Sequence, residues 1–175
     1  MNYIYSTQKL GITFEPNLEL NVYIDASYGV HPDGKSQTGV AICMGKGPIF
    51  ARSVKQKIVS KSSTESELIA LSDACSQVIS TRNFITAQGL TIGPANVYQD
   101  NQSVMHLIKN GFSNSERTRH INIRYFWLKD RMESGDIKII YLKTEDMIAD
   151  ILTKPIQGKL FIKLRSLLLN WYLDV

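Results

Sequence analysis

Cysteine is scarce in this 175-residue chain, with only Cys43 and Cys75 present. Both lie in apolar surroundings, and neither has the neighbour spacing of a metal site. That excludes a disulfide framework and reads as two reduced, buried thiols of an intracellular protein. No apolar run approaches the length of a membrane span. The first residues, MNYIYSTQKLGITF, lack a basic region followed by an apolar block, so no secretory signal is read there. Internal repeats and low-complexity tracts are also missing. The charge is modest, at +4 with a pI near 9.0. Such a balance permits a polyanionic partner without demanding one. The length suits one domain with a core of its own.

What is present is a change of period. Residues 20–28, 37–45 and 48–54 alternate and are rich in β-formers, and GKG separates the last two. They read as three strands, the last two forming a hairpin. An earlier stretch, YIYSTQKLGITFEP, reads as a short extended piece without an evident partner. From Ser63 the apolar residues Leu68, Leu71, Ala74, Cys75 and Val78 recur at helical spacing. Ser63 and Thr64 are candidate caps, with Glu67 at capping-box distance from Thr64. This helix is expected to run to about Gln88. A fourth strand follows at 95–99, helices at 101–109 and 117–133, and a fifth strand at 136–142. A short helix is expected over 145–153, and a last one over 158–171 carries Leu160, Phe161, Leu164, Leu167, Leu168 and Trp171 as an apolar stripe. Three antiparallel strands before strands alternating with helices imply an α/β fold, one mixed sheet flanked by helices.

The acids at structurally costly positions carry the chemistry. Asp25 interrupts the apolar strand VYIDA, where aspartate is disfavoured; the alternative is a strand-end acid facing water. Glu67 shares a helix face with Ala70, Leu71, Ala74 and Val78, whereas Glu65 sits nearer the flank. Periodicity therefore prefers Glu67, although either acid suits a first turn. Asp100 ends the fourth strand where ligands collect in such sheets, and it also suits a helix cap. Asp150 stands late in its expected helix, where the dipole disfavours an acid. Four acids converging without basic partners would repel one another. Hard divalent cations such as Mg²⁺ or Mn²⁺ relieve that repulsion, and two of them roughly 4 Å apart support phosphodiester hydrolysis.

The blocks YIDASYG, KSSTESELIALSDA, YQDNQS and RTRHINIRYFWLKDRMESGDIKIIYLKTEDMIADILTKP, in that order, resemble the ribonuclease H domain of copia-type (Pseudoviridae) LTR retrotransposon Pol polyproteins. The resemblance covers roughly residues 20–165. It implies the RNase H fold, a five-stranded mixed sheet of order 3-2-1-4-5, and a four-carboxylate site for two Mg²⁺ ions, with Mn²⁺ substituting. Carried over one at a time, the acids are Asp25 of the first strand, Glu67 of the first helix, Asp100 after the fourth strand and Asp150 of the late helix. It also implies residues 1–19 as a connection to an upstream reverse transcriptase and 20–155 as the RNase H domain, while the apolar stripe of 156–175 reads as an amphipathic helix packed on that domain or, alternatively, docked on the reverse transcriptase. One departure stands out. Many relatives carry a histidine on the loop after the fifth strand, and here that link, Leu142-Lys143-Thr144, has none.

The implied substrate is an RNA/DNA hybrid, read by backbone shape and the 2′-OH. Asn101 and Ser103 are candidate donors to it. Arg117, Arg119 and His120 belong to the most basic stretch, with Tyr125, Phe126 and Trp127 close by. That stretch reads either as a backbone grip or as a solvated helix whose aromatics enter the core. Arg52, Lys55, Lys57 and Lys61 form a second basic group. The expected setting is a monomeric domain without membrane contact, tethered to a reverse transcriptase, in a cytoplasmic virus-like particle. Two other classes compete: an inactive hybrid-binding or polymerase-tethering module, and an integrase-like nuclease of the same fold. Integrase-type sites use three acids ending in a glutamate, which Asp150 does not match.

Overall fold

The computed structural model describes residues 2–15, 17–110 and 119–171. Five strands, β1 (Leu20–Ser27), β2 (Gln37–Met44), β3 (Pro48–Lys55), β4 (Ala95–Gln99) and β5 (Ile137–Tyr141), form one sheet of order β3-β2-β1-β4-β5. β1, β2 and β3 pair antiparallel, while β1–β4 and β4–β5 are parallel. Parallel neighbours need crossovers, and helices supply them. These are α2 (Ser63–Ala87) after β3, then α3 (Gln102–Asn110) and α4 (Arg119–Glu133) after β4.

Alternation along β1 sends Val22 and Ile24, both fully buried, into the main core. There they join Ala95 and Val97 of β4, Leu71, Cys75 and Val78 of α2, and Tyr125 and Leu128 of α4. Tyr23 and Asp25 take the other face. That face is covered by α5 (Gly158–Leu169) and by two 3-10 turns, Thr144–Asp146 and Ile148–Leu152. Leu168, Ile148 and Ala41 form a second, smaller core there, with Tyr23, Ile151, Leu152 and Leu167 against it.

Three local expectations are corrected and a fourth is refined. Residues 2–6 form a short helix, α1, not an extended piece. Ser6 and Thr7 hydroxyls donate back to the Tyr3 carbonyl, and Tyr3 packs edge-on against Phe161 of α5. The following coil is tied to the end of α5 by Thr13 N–H on the Leu169 carbonyl (3.1 Å). Secondly, α2 is capped by Ser62, not Ser63 or Thr64. Ser62 Oγ accepts Glu65 N–H, and Glu65 reaches back to Lys61 N–H at 2.9 Å. The capping acid is thus Glu65, which leaves Glu67 for the interior. Thirdly, the single helix expected over 145–153 is two 3-10 turns broken at buried Met147, whose ψ of 95° is extended. Asp150 therefore lies in the first turn of its short element, and the dipole argument for it does not hold; its burial does. Finally, the aromatics of α4 divide. Tyr125 is buried and Trp127 packs on the core, while Phe126 is exposed.

Candidate metal centre

Three carboxylates meet at the carboxyl ends of β1 and β4. Asp25, Asp100 and Asp150 each place an oxygen within 4.8 Å of the other two. Asp25 and Asp150 are buried, and Asp100 is half-buried. Glu67 lies beside this group, 5% exposed, and feels the charges of Asp25 and Asp100. Burial first, then those two charges, push its carboxyl up to about 9. Burial likewise raises Asp150, with Asp25 and Asp100 adding to the rise and Lys154 opposing it. Hard oxygen donors crowded in this way fit a divalent cation, because one ion would relieve several repulsions at once.

Asp100 does not cap α3. The cap of α3 is Asn101, whose Oδ1 accepts the N–H groups of Ser103 (3.0 Å) and Val104 (3.1 Å). Asp100 instead turns into the cluster, and its Oδ2 accepts the Thr144 hydroxyl at 2.8 Å. Among the expected substrate contacts, Asn101 thus spends its side-chain oxygen on the helix start, and Ser103 is exposed. Arg119 and His120 fall in the first turn of α4, and Arg117 lies outside the described residues.

Five participants were not singled out from sequence. Gln99 is fully buried at the end of β4. Its Nε2 donates to Glu67 Oε2 (3.3 Å), and its Oε1 accepts Asp100 N–H (2.8 Å) and Asn101 N–H (2.9 Å). The signal was available, since Ala95, Val97 and Gln99 share the buried face. Thr144 is the second, as the donor to Asp100. Gly39 stands opposite Asp25 in the β1–β2 ladder. A Cβ there would lie 2.8 Å from Thr153 Cγ2 and 2.9 Å from the Ala149 carbonyl oxygen. The second 3-10 turn therefore lies directly on the sheet, and Ser53 of β3 fastens it by donating to the Leu152 carbonyl at 2.5 Å. Thr153 and Lys154 complete the set. Thr153 Oγ1 donates to Asp25 Oδ2, while Lys154 Nζ lies 3.3 Å from Asp25 Oδ1 and 2.8 Å from Asp150 Oδ1. The expectation of acids without a basic partner is corrected by Lys154.

The basic stretch is partly paired within the fold. Arg124 binds Asp73, and Arg131 binds Asp130 and Asp136. Arg52, Lys55, Lys57 and Arg124 surround a groove of about 410 Å³ between β3, α2 and α4. Its wall includes Gln56, which donates to Thr38 Oγ1 and to the Ser66 carbonyl, next to Glu67.

Comparison with known proteins agrees with this architecture. The chain is 32% identical over 165 residues to the retrovirus-related Pol polyprotein from transposon RE1 of Arabidopsis thaliana, covering 92% of this chain and 11% of that protein. It is 34% identical over 143 residues to the one from transposon TNT 1-94 of Nicotiana tabacum, covering 81% of this chain and 11% of that protein. The chain thus spans about a tenth of the length of these curated relatives. No family model matches. Among solved structures, LC11-RNase H1 isolated from compost superposes with a TM-score of 0.60 at 17% identity, over 78% of this chain and 93% of that one. The same protein in complex with an RNA/DNA hybrid gives 0.55 at 18% identity, over 77% and 94%. The RNase H domain of prototype foamy virus gives 0.52 at 18% identity, over 86% and 90%. The chain is homologous to a segment of copia-type transposon Pol polyproteins and has the RNase H fold.

Proposed function

We propose that this chain is a ribonuclease H that cuts the RNA strand of RNA/DNA hybrids during retrotransposon reverse transcription. The observation that carries the reading is the meeting of Asp25, Asp100 and Asp150 within 4.8 Å at the carboxyl edge of an RNase H-type sheet. Asp25, Glu67, Asp100 and Asp150 would hold two Mg²⁺ ions, with Mn²⁺ substituting. When bound, such ions supply positive charge that acidifies water and offsets charge developing on the phosphate. The chain's own residues orient the ligands: Gln99 fixes Glu67, Thr144 fixes Asp100, and Thr153 fixes Asp25. The products are 3′-hydroxyl and 5′-phosphate ends.

The hybrid lies across the carboxylate edge. Contacts to its backbone are assigned to Asn101, Ser103, Arg117, Arg119 and His120, with the Arg52–Lys55–Lys57 group as a second set of cations. Homology to Pol polyproteins supports a reverse transcriptase domain as covalent partner and a virus-like particle as the setting. Residues 1–19 are assigned to the connection, 20–155 to the nuclease domain and 156–175 to its packed C-terminal helix, the isolated domain being a monomer. Among the described residues no helix is long and apolar enough to cross a membrane.

The test is cleavage of a hybrid with labelled RNA in Mg²⁺, Mn²⁺ or EDTA, by wild type and by Asp100→Asn. Metal-dependent cutting of the hybrid alone, abolished in the variant, is the expected result. No cutting by folded wild type would favour a binding module, and cutting of DNA duplexes an integrase-like nuclease.

A further inference from the structure

Among the described residues, Lys154 is the basic group that touches the carboxylate cluster. The segment that carries Asp150 ends in a turn whose backbone closes on itself, Thr153 N–H and Lys154 N–H both donating to the Asp150 carbonyl (3.2 and 2.9 Å). That turn points two consecutive side chains at Asp25. Thr153 takes one carboxylate oxygen and the Lys154 ammonium the other. The same ammonium lies 2.8 Å from Asp150, so it joins acids from β1 and from the second 3-10 turn. The two aspartate side chains are 2% and 5% exposed, while the lysine is 36% exposed. Buried like charges therefore face a cation on a partly exposed side chain, and a flexible four-carbon stem lets that cation swing away.

We propose that Lys154 is a tethered counter-cation that competes with divalent ions for the Asp25–Asp150 side of the centre, so that metal binding there displaces its ammonium. This inference rests on the metal-centre reading above. A displaceable charge sets the ion concentration at which the centre fills and holds the two acids together below it. A lysine with only a packing role would do neither.

The experiment titrates Mn²⁺ into the whole 175-residue chain by electron paramagnetic resonance, and follows thermal unfolding in EDTA, for wild type, Lys154→Met and Lys154→Arg. Lys154→Met is expected to bind Mn²⁺ about tenfold more tightly, because a competing charge is gone, and to unfold about 3 °C lower in EDTA, because Asp25 and Asp150 lose their counter-charge. Lys154→Arg should stay near wild type in both. Lys154→Gln carries the same expectations as Lys154→Met should the Met variant not fold. Unchanged or weaker Mn²⁺ binding by the neutral variants overturns the inference and leaves the metal centre standing. A wild type that binds no Mn²⁺ overturns both.

Discussion

Gly39 lies opposite Asp25 in the β1–β2 ladder, and its missing side chain is the space into which the second 3-10 turn settles. A methyl group there would meet Thr153, the Ala149 carbonyl and Leu152 at 2.8 to 2.9 Å. Two of those contacts involve backbone or a Cβ, which yield little. Gly39→Ala should therefore lift the turn and carry Asp150 and Thr153 away from Asp25. The expected cost is about 1–3 kcal/mol in stability, with hybrid cleavage down about 100-fold from misplaced ligands. Urea unfolding and cleavage rates on one preparation check both; a variant with wild-type cleavage would show that the close approach does not matter.

Gln99 links the two halves of the cluster through one buried amide. Gln99→Leu keeps the volume and removes every polar contact. The Asp100 and Asn101 N–H groups and the Glu67 carboxyl then lose a partner, which should cost about 1–3 kcal/mol. Denaturant melts measure this directly, and a loss below a few tenths of a kcal/mol would contradict it.

Glu67 predicts a pH dependence. Its carboxyl rises from the ordinary 4.5 to about 9 in the fold, with burial as the main cause and the charges of Asp25 and Asp100 next. Between those two values the folded state binds more protons than the unfolded one, so stability falls as pH rises. The contribution is complete below pH 4.5, declines through the neutral range and is gone above about 9. The slope from this one group is at most about 1.4 kcal/mol per pH unit. In EDTA, Glu67→Gln should show a visibly flatter profile between pH 5 and 9. Parallel profiles for the two proteins would assign the effect elsewhere.

Asn101, and not Asp100, caps α3. Asn101→Ala should lower stability by about 1 kcal/mol, with metal-dependent cleavage reduced far less than in Asp100→Asn. Asp100→Asn should do the reverse, because its carboxylate serves the cluster and not the helix start. Comparing melts and cleavage for the pair separates the two roles, and matched effects in both assays would refute the separation.

The sequence by itself determined the five strands, the long helix, the sheet type and the costly placement of Asp25 and Glu67. These follow from local rules: period two puts Val22 and Ile24 on one face and Asp25 on the other, and period 3.6 puts Glu67 above Ala70 and Leu71. Reading Ser63 or Thr64 as the cap missed by one or two residues, because several hydroxyls stand in a row at 62–64 and only the chain's path into α2 selects Ser62. The sheet order, expected from the family resemblance, is found in the structure. What the tertiary structure decided is which groups touch. Lys154 reaches Asp25 across 129 positions and Thr144 reaches Asp100 across 44, separations at which no periodicity operates. Gly39 shows the same limit: nothing beside it in the chain marks it, and its role exists only because a distant turn packs where its side chain would be.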